Sequence, residues 1–187
     1  MKRSMSALAL VALASSVACA QWSDNFDSYP TGILNQPNGW RGWDNVLGAC
    51  GVISTDQFRS APNSMSVAGS NDAIHEFTGI DSGAWRLTVW HYLPADFSGI
   101  GYFILLNSYT DLGVNNWTLQ VSYDTSFIKE VDIAIRPNNT WRQVVKGQWV
   151  EMRVDFDLDN DTLVMWYNGE EVTNGPWKRD AASLLNL

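Results

Sequence analysis

AWRLTVWHYLPADFSGIGYFILLNSYTDLGVNNWTLQVSYDTSFIKEVDIAIR, residues 84–136, is the stretch whose reading decides the fold. It divides into four strands. Trp117, Leu119, Val121 and Tyr123 alternate with Thr118, Gln120, Ser122 and Asp124, the period of two expected when one sheet face is buried and the other wetted. Lys129, Val131, Ile133 and Ile135 alternate with Glu130, Asp132 and Ala134 in the same way. If Leu87 and Val89 point into the core, then Arg86, Thr88, Trp90 and Tyr92 share the opposite face. Laid side by side, the four strands present one apolar face and one face of amides, hydroxyls, carboxylates and rings. Arg86, Trp90, Tyr92, Asn107, Gln120, Ser122, Glu130 and Asp132 are the binding candidates on that second face.

Outward from this stretch, short strands recur with Asn, Asp, Ser, Gly or Pro between them. Upstream, the pattern predicts strands at 22–27, 51–55, 64–68 and 73–77; downstream, at 140–145, 149–158 and 162–167. The sharpest local signal is WVEMRVDFDL, where Val150, Met152, Val154, Phe156 and Leu158 alternate with Glu151, Arg153, Asp155 and Asp157. Asp159, Asn160 and Asp161 then make a hairpin turn, and LVMWYNG returns. A dozen short strands with no convincing helix indicate an all-β sandwich. The sequence runs out at AASLLNL before a strand that would pair with the first one. The expectation is that the C-terminal closing strand is missing.

The first twenty residues read as a secretory signal. Lys2 and Arg3 precede the apolar run SALALVALASSVA, and small residues at Ala18, Cys19 and Ala20 form a cleavage site. The run is too short to span a bilayer in the mature protein, so no membrane insertion is expected. SVAC, ending at Cys19, offers an alternative reading as a bacterial lipoprotein box with a lipid anchor on Cys19. Residues 21–187 then form one domain that leaves Cys50 alone, without an intrachain disulfide and in small-residue surroundings that suit a buried thiol. The 20 acidic residues against 12 basic ones argue against nucleic acid and anionic membranes as partners. Ten tryptophans are the compositional outlier, and such rings serve both sandwich cores and sugar sites.

DNFDSYPTG, GWRGWDN, RSAPNSMSV, DAIHEF, DFSGIGYFILLNSY and QWVEMRVDFDLDNDTLVMWYNG together resemble the concanavalin A-like lectin and glucanase jelly rolls, of the laminin G-like kind found in secreted bacterial proteins. The resemblance implies two curved antiparallel sheets, a concave side that often holds carbohydrate, and structural calcium in many members. It leaves activity open, because this architecture carries lectins, glycosidases, lyases and adhesion modules. Retaining glucanases of this fold use a Glu-x-Asp-x-(x)-Glu strand, and two carboxyls about 5–5.5 Å apart are needed for their chemistry. Glu130 and Asp132 match its first two acids, but Ala134 or Ile135 stands at the third. The pair is left with sugar hydroxyls, a cation or plain solvent. The resemblance also implies a Ca2+ site near Asp24 and Asp27, shared with the missing end.

Three other motifs are weaker. DFDLDND lacks the Gly and Glu of a calcium-binding loop, since Asn160 and Trp166 stand there. His75 and His91 lie on separate strands without zinc spacing. Trp40 and Trp43 in GWRGWD either plug an end of the sandwich or touch sugar. Taken together, the residues predict a secreted, non-catalytic, lectin-like module binding a polysaccharide or glycan. A polysaccharide-cleaving enzyme and a structural adhesion domain are the rival readings.

Overall fold

The computed structural model describes residues 22–35, 37–131, 136 and 140–178. Every strand pairing among them is antiparallel, and the only helical turns are three short 3-10 segments. Two four-stranded sheets form the body. One contains β6 (Ala84–Tyr92), β11 (Trp149–Asp157), β12 (Thr162–Tyr167) and β13 (Glu170–Gly175), in the order β13-β12-β11-β6. The other contains β7 (Gly101–Ser108), β8 (Asn116–Tyr123), β9 (Phe127–Glu130) and β10 (Arg142–Gln143), in the order β10-β9-β8-β7.

Their inner faces meet in a common core. Leu119, Val121 and Ile128 come from one sheet, and Val150, Met152, Val154, Leu163, Met165, Tyr167 and Val172 from the other. This is a β-sandwich. The β11–β12 hairpin follows the expected alternation, with Val150, Met152 and Val154 buried and Met152 opposite Tyr167. A one-residue slip would turn these side chains to water, so burial fixes the register. Asp157 shapes the turn by accepting the backbone N–H groups of Asp159 and Asn160, both at 3.0 Å.

A smaller N-terminal lobe is built from β1 (Gly32–Ile33), β3 (Val52–Ser54) and β4 (Ser64–Ser66), together with the pair β2 (Trp40–Gly42) and β5 (Ala73–His75). Leu34, Cys50 and Ile53 make its core. Residues 22–27 form no strand; the Asp24 carboxylate and the Asn25 amide oxygen accept the backbone N–H groups of Phe26 and Asp27 and organise turns instead. Downstream, only Arg142–Gln143 of the expected 140–145 strand is paired. Thr140 donates its N–H to Val172 at 2.7 Å and Val144 donates to Ser126 at 2.9 Å, so this segment ties the two sheets together rather than extending one.

Two corrections bear on the site. First, β6 does not lie beside β7, β8 and β9. Its neighbour is β11, from Trp149 opposite Tyr92 to Asp157 opposite Ala84, so the connection from β6 to β7 crosses between the sheets. The side-by-side arrangement failed because alternation reports which face a residue takes, not which strand lies next to it. Second, the parity of β9 is reversed. Ile128 pairs with Tyr123 and Glu130 with Val121, which sends Ile128 and Glu130 inward and Lys129 outward.

Among the described residues no helix is long and apolar enough to cross a membrane. The proposed signal segment, Cys19, Asp132 and the C-terminal 179–187 lie outside the described residues.

Candidate functional site

The sandwich has two outer faces, and they divide the candidate residues between them. On the β6–β11–β12–β13 sheet, Arg86, Trp90 and Tyr92 do share the outer face. That face is already occupied by its own contacts. Arg86 donates to Asp155 at 2.5 and 3.0 Å, and Arg153 lies between Glu151 and Asp155 and over the Trp166 ring. The Arg59 guanidinium stands 3.7 Å from the centroid of Trp90, and Tyr92 packs against Trp149. One ring face of Trp90 is therefore covered by a cation rather than open to a sugar.

Gln120 and Ser122 lie on the opposite side of the molecule, on the outer face of the β7–β10 sheet. Register builds that face row by row. Tyr102, Ser122 and Lys129 stand side by side on β7, β8 and β9, while Ile104 and Gln120 form the next row. Phe127 and Gln143 pair at the other end. Trp141, just before β10, falls opposite Lys129 by the same register, and its ring packs edge-on against Phe127 at 4.6 Å. The row therefore reads Tyr102, Ser122, Lys129, Trp141, with two exposed rings at its ends: Tyr102 is 53% and Trp141 60% accessible. Three strand spacings separate those ends, about 14 Å. Gly101 allows this arrangement, since a Cβ there would sit 2.4 Å from the Tyr123 ring.

Beside Trp141 an open depression of about 610 Å³ lies where β10 meets the β12–β13 turn. Trp141, Gln143, Asn168 and the ion pair of Arg142 with Glu170 line it. Amides and charged groups beside a flat ring supply both the apolar contact and the directional hydrogen bonds that a saccharide takes up.

The remaining candidates do not join this face. Glu130 is 1% exposed and ion-paired to Arg136 at 3.0 Å on the inner side. Arg136 also donates to the carbonyls of Thr118 and Pro176. Asn107 is exposed at a bulge near the end of β7, away from Gln120. Trp43 stacks on Trp117 and meets Tyr109 edge-on, so it closes one end of the sandwich. Trp40 belongs to the N-terminal lobe, with Phe26, Trp22 and His75 around it, and its indole N–H donates to Asp24.

Asp24 and Asp27, the calcium candidates, are engaged by hydrogen-bond donors of the N-terminal lobe. Asp24 accepts from the Tyr29 hydroxyl at 2.5 Å, from the Phe26 N–H, and from Asn38 and Trp40. Burial would raise its pKa, but these four donors together hold it below the usual carboxylate value. Burial, and then the bond to Asp24, push the Tyr29 hydroxyl up to about 12. Asp27 is turned to Asn25, Ser60 and the Asn63 N–H. Both carboxylates thus face hydrogen-bond donors, and no cluster of three metal-ligating side chains occurs among the described residues.

The two histidines are packing residues. His75 bonds the Asn38 carbonyl at 2.9 Å within the Trp22 and Phe77 rings. His91 faces inward against Tyr123, and burial holds its pKa down at about 4. Comparison with family models, curated proteins and solved structures finds no match to this chain.

Tyr102, Lys129 and Trp141, which complete this exposed row, are not among the candidates that the sequence singles out. Tyr102 sits in the unbroken apolar run GYFILL, where alternation carries no signal. Alternation with Val131 assigns Lys129 to the wrong face, and Trp141 adjoins a strand of only two residues.

Proposed function

We propose that this protein is a non-catalytic carbohydrate-binding module, of the exported kind suggested by its N-terminal segment, and that it binds through the outer face of the β7–β10 sheet. One observation carries the reading: Tyr102 and Trp141 expose their rings at the two ends of a single cross-strand row, with Ser122 and Lys129 between them. Gln120 adds an amide in the neighbouring row, and the depression beside Trp141 gives the row a recessed end. Covering about 60 Å² of indole with a sugar ring contributes about 1.5 kcal/mol at 25 cal/mol per Å², which is about tenfold in affinity.

The rival hydrolytic reading draws no support from Glu130. A nucleophile or acid must reach the substrate, and this carboxylate is held by Arg136 on the inner face. Affinity electrophoresis through gels loaded with different polysaccharides tests the binding proposal. Wild type should be retarded by at least one polymer, Trp141→Ala and Tyr102→Ala should each lose most of that retardation, and Trp90→Ala should keep it. Retardation that survives both substitutions and falls with Trp90→Ala would move the site to the other face and sink the proposal.

A further inference from the structure

The sole charged side chain along the Tyr102 to Trp141 row is Lys129, and its surroundings set it apart from the other cations. Arg41, Arg86, Arg136, Arg142 and Arg153 are all ion-paired, and Arg59 lies on Trp90. Lys146 donates to the Phe97 carbonyl at 3.1 Å. Lys129 and Lys178 are left without an ion pair or side-chain hydrogen bond among the described residues, and Lys178 lies beyond β13, off this face. Asp124 feels the charge of Lys129, but its carboxylate accepts the Ser126 and Phe127 N–H groups at 2.7 and 2.8 Å instead.

In a chain of net charge −8, five of the nine described cations are ion-paired, Arg59 and Lys146 are held by a ring and a carbonyl, and the exposed Lys129 ammonium stands unpaired in the row between two exposed rings, one strand from Trp141 and two from Tyr102. We infer that the glycan bound here carries an anionic sugar flanked by sugars that stack on Tyr102 and Trp141, and that Lys129 reads its charge. The inference rests on the carbohydrate-binding reading above and names the substrate class of the same site. Two ring platforms about 14 Å apart call for an oligosaccharide rather than a single sugar. The central unit then falls over Ser122 and Lys129, where a carboxylate or sulfate meets an ammonium and a hydroxyl together. The general acidity of the molecule repels such a polymer at long range, so recognition is local and screened by salt.

The test uses the whole protein and three oligosaccharides of matched length: neutral, uronate-containing and sulfated. Binding is measured by calorimetry for wild type, Lys129→Gln and Lys129→Arg. At low salt an anionic oligosaccharide should bind about fivefold more tightly than the neutral one. The advantage should vanish in Lys129→Gln, persist in Lys129→Arg, and shrink near 0.5 M salt, where the screening length is about 4 Å. Preference between the uronate and sulfate arms names the anion. Equal binding of neutral and anionic sugars, or a preference untouched by Lys129→Gln, overturns this inference while the binding face stands. No binding of any of the three by wild type overturns the face and the inference together. Lys129 is exposed on a strand, so unfolding midpoints of both variants should match wild type.

Discussion

The two sheets keep their charges on opposite sides. The β6–β11–β12–β13 sheet carries Arg86, Arg153, Glu151 and Asp155 on its outer face, where they pair with one another in water. The β7–β10 sheet puts its ion pair, Glu130 with Arg136, on the inside and leaves Lys129 between exposed rings on the outside. A face that satisfies its own polar groups has little to offer a ligand. The other face, with rings, an amide, a hydroxyl and a free ammonium, is still to be satisfied. Ring content alone does not separate them, since Trp90 and Trp166 stand on the first; what separates them is whether a cation already covers the ring.

The largest effect should come from the inner pair. Glu130→Ala removes the buried carboxylate that faces the Arg136 guanidinium, and removing one partner of a buried pair costs about 3–5 kcal/mol. Urea denaturation should show this loss. A change below about 1 kcal/mol would mean that the pair is as wet as those on the opposite face.

Next comes His91, which projects from the charged sheet into the common core. Its pKa is about 4 in the folded protein against an ordinary 6.5, so the unfolded chain takes up the proton first. The neutral-His stability is complete above about pH 6.5, is lost as pH falls toward 4, and levels off below that; at 1.36 kcal/mol per unit the loss is about 3 kcal/mol. Unfolding midpoints measured across this interval should fall less steeply in His91→Phe than in wild type. Parallel slopes would refute the assignment.

A smaller effect, about tenfold in affinity, is expected for Trp141→Ala against the best-bound polysaccharide, with Trp90→Ala as the matched control on the opposite face. The smallest belongs to Arg86→Ala. Its pair with Asp155 is exposed, so thermal unfolding should shift by no more than about 1 kcal/mol. A larger loss would show that the outer charges hold their sheet together and are more than solvated pairs.

The sandwich was legible because β11 and β12 alternate cleanly, and burial on one face fixes both type and register there. The outer faces were only half legible. Arg86, Trp90 and Tyr92 do share a face, as do Gln120 and Ser122, but nothing in their alternation says that two sheets separate the groups. Glu130 misled for a related reason. Beside Val131, a carboxylate reads as the wet side of a strand unless the arginine six residues on is known to fold back onto it. Such long-range pairing is decided by topology, and Asp24 shows the same limit: its hydrogen bonds from Tyr29, Asn38 and Trp40 span five to sixteen residues.

The reach of Arg136 also sets an order of events. Its guanidinium bonds the Thr118 carbonyl on β8 and the Pro176 carbonyl just after β13, forty residues later. During synthesis the β7–β9 meander leaves the ribosome well before that second acceptor exists. Until residue 176 emerges, the guanidinium can hold Glu130 and Thr118 but lacks its acceptor after β13, so closure of the two sheets over this pair is a late event that waits for the last strand of the opposite layer.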